Sequence, residues 1–262
     1  TGWHNHAVGY LSLRFNTSGT CNNAMGSNTL YSNVTGNYNV AYGTQALYYN
    51  VAGHQGTAVG NAAMMYSNNT ITPFINYNVA VGFEALRGSF TPALNTGNFN
   101  TALGHSSLIG ITSGNNNNGV GYYSLISNTT GSNNSAVGSA ALRSNVSGNN
   151  NTVLGYQAGY TSVAANANTT GSNNTFIGYN SGPGSSTQLT NASALGYNAL
   201  VSANNSIVLG GTGVDAVNVG LGITIPTFKL DVLGTVRTGG NTLDGQLLIY
   251  SEQGATDWTY TI

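Results

Sequence analysis

Charge is what this sequence has least of. Of its 262 residues, 4% are Asp, Glu, Lys or Arg, and the formal net charge is −1. A soluble domain ordinarily carries about 25% charged residues, so neutral amides and hydroxyls must keep this surface wet. A balance so near zero supplies no basic field to draw in nucleic acid or anionic lipid, and neither is expected as a partner. The six carboxylates are Glu84, Asp215, Asp231, Asp244, Glu252 and Asp257, and only Glu84 falls in the first 210 residues. Glycoside cleavage needs two carboxylates flanking one bond. Nothing in the spacing of these six promises such a pair, so no catalytic residue is expected and the chain reads as a non-enzyme.

Cysteine is nearly as scarce. Cys21 stands alone in a polar stretch, which excludes an intrachain disulfide and reads as an incidental thiol. No apolar run approaches the roughly 18 residues needed to cross a bilayer, so this segment is not expected to insert into a membrane. No signal peptide is visible, and Thr1-Gly2-Trp3 already lies inside the repeat described next, so the chain reads as a piece of a longer protein. The four histidines are His4, His6, His54 and His105; no carboxylate or thiol accompanies them in a ligand pattern, and no metal or other cofactor is expected. Calcium-binding solenoids use repeated Asp, which is missing here. With 37 glycines, Gly119-Val120-Gly121 is a chance echo of a phosphate loop.

What the sequence does have is a repeat. A small residue, a larger apolar residue and Gly recur at Ala7-Val8-Gly9, Ala24-Met25-Gly26, Ala41-Tyr42-Gly43, Ala58-Val59-Gly60, and on to Val208-Leu209-Gly210. The intervals between successive glycines are 17, 17, 17, 22, 22, 17, 17, 17, 23, 18 and 14, a base period of 17 with three insertions and a shortening end. Four residues after the Gly comes Leu13, Leu30, Leu47, Met64, Leu86, Leu108, Leu125, Leu142 or Leu200, usually preceded by Ala or Ser. An Asn-x-x-Gly turn follows, as in Asn33 to Gly36 and Asn145 to Gly148. Each unit reads as two short strands with a glycine corner and a polar turn. Such a unit is too short for a strand, a full helix and two connections, but it suits one coil of a parallel β-solenoid or β-roll. About twelve coils stacked at 4.8 Å would make a rod on the order of 55–60 Å long.

The same pattern bears on self-association. Neighbouring strand residues face opposite ways, yet Ala7 and Val8, Ala46 and Leu47, and Ala141 and Leu142 are all apolar. Strands apolar on both faces are usually covered on both. One face can fill the coil; the other calls for a partner. Small Ala on one face and bulkier Val or Leu on the other would let identical chains pack closely, and a parallel homotrimer fits a fibre best, with a lone solenoid whose Ala face is exposed as the alternative.

These residues resemble the head repeats of trimeric autotransporter adhesins, the YadA-like head family. That family's Asn/Ser-x-Ala-x-Gly core is matched by Asn39-Val40-Ala41-Tyr42-Gly43 and Asn134-Ser135-Ala136-Val137-Gly138. The chain is also similar to longer-period repeats of phage tail fibres and bacterial surface fibres that end in an endosialidase-type intramolecular chaperone. Gly196-Tyr197-Asn198-Ala199-Leu200 and the Thr-Thr-Gly-Ser-Asn-Asn of residues 129–134 and 169–174 carry that likeness. Ile225-Pro226-Thr227-Phe228-Lys229-Leu230-Asp231-Val232-Leu233-Gly234-Thr235-Val236-Arg237 resembles the connector that follows such shafts, and Tyr250 to Asp257 looks like the start of a further β-module. The period is longer than the coil of the YadA-like head, and in that the chain departs from the family. The resemblance implies an extracellular, cell-surface fibre for adhesion or host recognition, or else a virion tail fibre; a purely structural filament without a ligand is the remaining alternative. The expected organisation is an all-β repeat over residues 1–222, a connector over 223–245 and the start of another module over 246–262.

Two columns and three insertions are the candidate contact surfaces for a cell-surface glycan or protein receptor. One residue after the Gly stand Tyr10, Phe83, His105, Tyr122, Tyr156, Tyr179 and Tyr197; five residues after it stand Arg14, Tyr31, Tyr48, Arg87, Arg143 and Tyr160. Equal offsets stack into ladders, which either hold the rod together or grip a partner. The insertions cover 68–78, with Thr72-Pro73-Phe74-Ile75, then 88–99, with Phe90-Thr91-Pro92, and 161–174. Loops on a rigid scaffold commonly carry recognition. Thr72, Pro73, Phe74, Phe90, Thr91, Pro92, Tyr31, Tyr48, Arg87 and Arg143 are the candidate ligand contacts.

Overall fold

So short a repeat leaves room in each coil for one brief strand and little else that is regular. In the computed structural model, which describes residues 2–161 and 163–233, twelve three-residue strands from His6–Val8 to Ile207–Leu209 form one parallel sheet in chain order. Where the period is unbroken, residue i pairs with i+17: Ala7 with Ala24, Ala24 with Ala41, Ala41 with Ala58. The chain is a parallel β-solenoid of about 12 coils, as the period predicts. Three single-turn 3₁₀ helices, Pro92–Leu94, Ala164–Asn166 and Gly213–Asp215, are the helical elements among the described residues.

The sequence leads one to expect two strands per coil, and here the structure differs. Among the described residues of the coils, a second paired strand forms only where Gly53–His54 meets Phe74–Ile75 and where Gly182–Pro183 meets Leu200–Val201. Elsewhere the Ala-Leu block is a run of tight turns with left-handed residues at fixed places. Asn28 and Leu30 have φ of 55° and 48°, Gln45 and Leu47 59° and 51°. Left-handed backbone costs an L-residue roughly 1–2 kcal/mol. It also cancels strand alternation, so that Ala46 and Leu47 both point inward with 0% exposure, as do Leu30, Leu108, Leu125 and Leu142. The Ala-Leu pairs therefore need no cover from outside. Leu200, expected in that buried column, is 39% exposed, and Val201 takes the interior place.

The strands do divide into an inner and an outer face, but the faces are exchanged: the Ala face, expected outside against a partner, is the inner one, because the narrow coil has room there only for a small side chain. From the second strand to the eleventh the middle residues are buried, Ala24, Ala41, Ala58, Ala80, Ala102 and Ala136 with 0% exposure, while the residues after them face out; Ala7 and Val208, in the first and last strands, are less covered. Each strand ends at a glycine in a left-handed conformation that side chains rarely tolerate, with φ of 135° at Gly138. Space forbids a side chain as well: a Cβ at Gly138 would sit 2.4 Å from the Gly155 carbonyl oxygen of the next coil. In the tenth coil Phe176 replaces the interior Ala, and the residue at the Leu place of the coil before it is Gly159, where a Cβ would lie 3.3 Å from the Phe176 ring.

The interior is also polar. Asn22, Asn39, Asn100, Asn117, Asn134, Asn151 and Asn174 are at most 1% exposed and form one file of amides. Asn134 shows the rule. Its backbone N–H and its Nδ2 donate to Asn117 Oδ1 at 3.0 and 3.1 Å, and its Nδ2 also donates to the Gly148 carbonyl at 2.8 Å. Its own Oδ1 accepts the backbone N–H and Nδ2 of Asn151, both at 3.0 Å. A second file, from the Asn-x-x-Gly turns, runs through Asn16, Asn33 and Asn50 and again through Asn128, Asn145 and Asn168. At the polar turn, three consecutive N–H groups converge on one carbonyl of the next coil: Thr17, Ser18 and Gly19 on Val34, at 3.1, 3.1 and 3.3 Å. The last such trio, Thr169, Thr170 and Gly171, finds Gln188 Oε1 instead, a side-chain amide standing where the backbone carbonyl would.

The described residues fall into two compact units, the first ending at Ala216 and the second starting at Val217. In the second, Val219–Leu221 pairs in parallel with Leu230–Val232, and the Asp231 carboxylate accepts the Thr227 N–H at 3.1 Å. Of the expected connector, residues 234–245 lie outside the described residues, as does all of the expected module at 246–262.

If the amide file bears the coil, Asn134→Ala strips the Asn151 N–H of its acceptor and should cost about 1–3 kcal/mol, seen as a lowered denaturation midpoint. Gly138→Ala should cost at least as much. A Gly138→Ala chain with wild-type stability would show that the corner is not built as described.

Candidate functional site

The candidate contacts sort into two neighbourhoods once the coils are stacked. On coils one to five, aromatic rings join into a continuous tract. Phe15 meets Tyr31 edge-on at 5.0 Å, and Tyr31 stacks on Tyr48 at 4.8 Å with 4° between planes. Tyr48 meets Tyr49 at 4.7 Å, Tyr49 stacks on Tyr66 at 5.3 Å, and Tyr66 meets Phe90 at 5.1 Å. Each pair contributes about 0.5–1.5 kcal/mol. Guanidinium groups sit on both ends, Arg14 over Phe15 and Tyr31 at 5.2 and 5.7 Å and Arg87 over Phe90 at 4.8 Å. Arg87 is also tied to Glu84 by an Nη1–Oε1 ion pair of 2.8 Å. Burial, aided by the neighbouring Tyr31 and Tyr49 phenols, pushes the Tyr48 hydroxyl above its ordinary value, so the ring stays neutral.

Tyr31, Tyr48, Phe90 and Arg87 thus belong to one surface, and Arg143 does not. It lies over Tyr123 and Tyr160, at 5.6 and 5.3 Å, on later coils. The column reading missed Tyr49 and Tyr66, because the tract steps sideways by one residue at the Tyr48-Tyr49 doublet. That doublet is the signal that marks the step. The column one residue after the Gly stacks too, Phe83 on His105 at 5.0 Å and Tyr156 on Tyr179 on Tyr197 at 5.3 and 5.2 Å.

The first two insertions meet beside the tract. Phe74 and Ile75 pair with Gly53 and His54, which folds residues 68–78 back onto the rod. Thr72 and Pro73 are left exposed, and Phe74 is half-buried. In residues 88–99, Phe90 is 72% exposed, Thr91 is exposed and Pro92 opens a 3₁₀ turn. Between the insertions lies a cavity of about 30 Å³ lined by Met64, Ser67, Phe74, Asn76, Asn95 and Ile111, among others. A water needs about 10–15 Å³ by this measure, so the space suits two waters and no sugar. Its polar lining has a cause. The second amide file breaks here, where Ser67 and Ile111 stand in place of Asn, and Asn50 Oδ1 and Ser67 Oγ are buried without partners. The first file is mended from the insertion: Gly56 has no amide to offer, and Asn76 Oδ1 accepts Asn78 Nδ2 at 2.7 Å instead.

A third polar file runs along the turn before each strand, and His54 is its one imidazole among the described residues. The Thr20 N–H donates to Asn37 Oδ1 at 2.6 Å, and the Asn37 N–H donates to His54 Nδ1 at 3.0 Å. To accept, Nδ1 must be bare, so the ring is neutral with its proton on Nε2. Burial holds the His54 pKa below the ordinary 6.5.

Among the described residues, no group of three or more His, Cys, Asp or Glu is placed to hold a metal ion, and no helix is long and apolar enough to cross a membrane. Comparison of the chain with protein-family models, with curated proteins and with solved structures returns no match.

The histidine generates a pH dependence. With its folded pKa below 6.5, the unfolded chain takes up the proton first, so stability should be full above about pH 6.5 and fall as pH drops from there to the folded pKa. His54→Asn, which puts an amide where Asn37 has one in the preceding coil, should flatten that slope in melts between about pH 7 and pH 5. An unchanged slope would assign it to another group.

Proposed function

We propose that this chain is the non-catalytic solenoid of an extracellular, homotrimeric fibre that adheres to a surface through its aromatic tract and insertions. The observation that carries this reading is the outer face of the twelve-stranded sheet. Val8, Met25, Leu103, Val137, Leu154, Ile177 and Leu209 are 37–50% exposed in a single chain, one above another in register, with Tyr42, Val59 and Val81 between them. A contiguous apolar column on a soluble protein marks an interaction site. The best-matched occupant is the same column on a second and third copy laid parallel, because both sides then repeat at one spacing and no charge has to be desolvated. Three narrow rods packed face to face make a shaft that none makes alone. The connector expected over residues 223–245 serves as a neck, in keeping with the fibre families the repeat resembles.

Recognition falls to the tract of Tyr31, Tyr48 and Phe90 flanked by Arg14 and Arg87, with Thr72, Pro73, Thr91 and Pro92 at its margin. Largely aromatic and half-exposed, it suits a glycan or an uncharged protein surface. Threefold repetition lets weak contacts add up through avidity.

Sedimentation of the purified chain should give three times the chain mass, and Val137→Glu with Leu154→Glu should give single folded chains. A wild-type chain that sediments singly would sink the trimer. Adhesion is tested separately on a glycan array and on cultured cells: Phe90→Ala should lose most of the binding while stability moves by about 1 kcal/mol or less. Equal binding by wild type and Phe90→Ala would remove the tract from the recognition surface.

A further inference from the structure

The stack of Tyr156, Tyr179 and Tyr197 stops before the rod does. In the next coil the place after the corner glycine belongs to Gly211, which has no ring, and among the described residues no ring covers the outer face of Tyr197. The chain presses close there, since a Cβ at Gly211 would lie 2.7 Å from the Asp215 Cβ, and it turns away through Gly213–Asp215. What results is a cleft of about 330 Å³ lined by Tyr179, Asn180, Tyr197, Asn198, Thr212 and Asp215, with Leu200 at its wall. That volume falls at the lower end of ligand clefts, about 300–1,000 Å³.

The carboxylate that lines the cleft is half engaged, for Asp215 Oδ2 accepts a hydrogen bond from Asn198 Nδ2 at 2.9 Å. The other Asp215 carboxylate oxygen accepts no side-chain hydrogen bond among the described residues.

We propose that this cleft binds one neutral sugar ring, with the C–H face of the ring laid on Tyr197 and its hydroxyls donating to the Asp215 carboxylate. A carboxylate only accepts, so the ligand must bring donors, and its charge turns away phosphate and acidic sugars. Tyr179 and Tyr197 lie 14° from parallel, which presents one flat face rather than the converging walls that hold an ammonium ion. A sugar has the matching shape, an apolar face edged by hydroxyls. The inference does not rest on the trimer or on the aromatic tract, since a single chain carries the whole cleft.

The test is saturation-transfer NMR on the full chain with methyl glycosides of glucose, galactose, mannose and N-acetylglucosamine, and with tetramethylammonium as the cationic probe. At least one glycoside should show transfer with millimolar affinity, weakened about tenfold by Tyr197→Ala, an exposed position that leaves the coil intact. Asp215→Ala should weaken it as well, and Asp215→Asn, which keeps one acceptor oxygen, should weaken it less. Transfer to none of the four glycosides, equal transfer in the Tyr197→Ala chain, or transfer to tetramethylammonium alone would each overturn the proposal.

Discussion

The rod depends on amides that hydrogen-bond straight up its interior. Each coil is too thin for a core of large side chains. A typical turn contributes one Ala, one Ala or Ser and one Leu, and the remaining inward space goes to asparagine. A buried amide is costly unless every donor and acceptor is met. Stacking identical coils meets that condition by construction, because the group that offers Nδ2 in one coil finds Oδ1 in the same place in its neighbour. The same logic explains the low charge. A Lys or Asp at such a place would meet its own sign one coil away, and unlike an amide it cannot serve as donor and acceptor at once.

Once the amide rungs set the register, the rest follows from close approach. The corner glycines are there because the neighbouring carbonyl occupies the space a Cβ would take. The left-handed leucines turn both members of each Ala-Leu pair inward, which closes the coil. That leaves the residues after the strand-centre alanines as the apolar side chains with no place inside, and they form the column on which the trimer proposal rests.

Much of this was legible in the residues. The spacing of glycines predicts the coil and the number of coils, and the Ala-Val alternation predicts two unlike strand faces, though not which of them turns inward: the width of the coil decides that, and it admits the small Ala. The Ala-Leu block misleads, because alternation is a property of extended backbone and Leu30, Leu47 and their equivalents are not extended. A leucine gives no sign in the sequence that its backbone will turn left-handed. The asparagines of the turns read as turn formers, whereas those before each strand gave no hint of being buried, since polar residues are mostly found outside. Of the candidate contacts, Tyr31 and Tyr48 stack because equal offsets become neighbours, and Phe90 joins them from its insertion through Tyr49 and Tyr66. Arg143 falls away from them because it sits several coils further along. The Tyr179–Asp215 cleft escaped notice because it forms where the repeat ends, and pattern reading is weakest at the place a pattern stops.

The side-chain amide protons of the asparagines test the central claim most directly. Hydrogen exchange followed by NMR should find the Nδ2 protons of Asn39, Asn117, Asn134 and Asn151 protected as strongly as the strand N–H groups around them. Exchange at the rate of a free amide in water would mean that the asparagines are not inside, and the account of how one coil holds the next would fail with them.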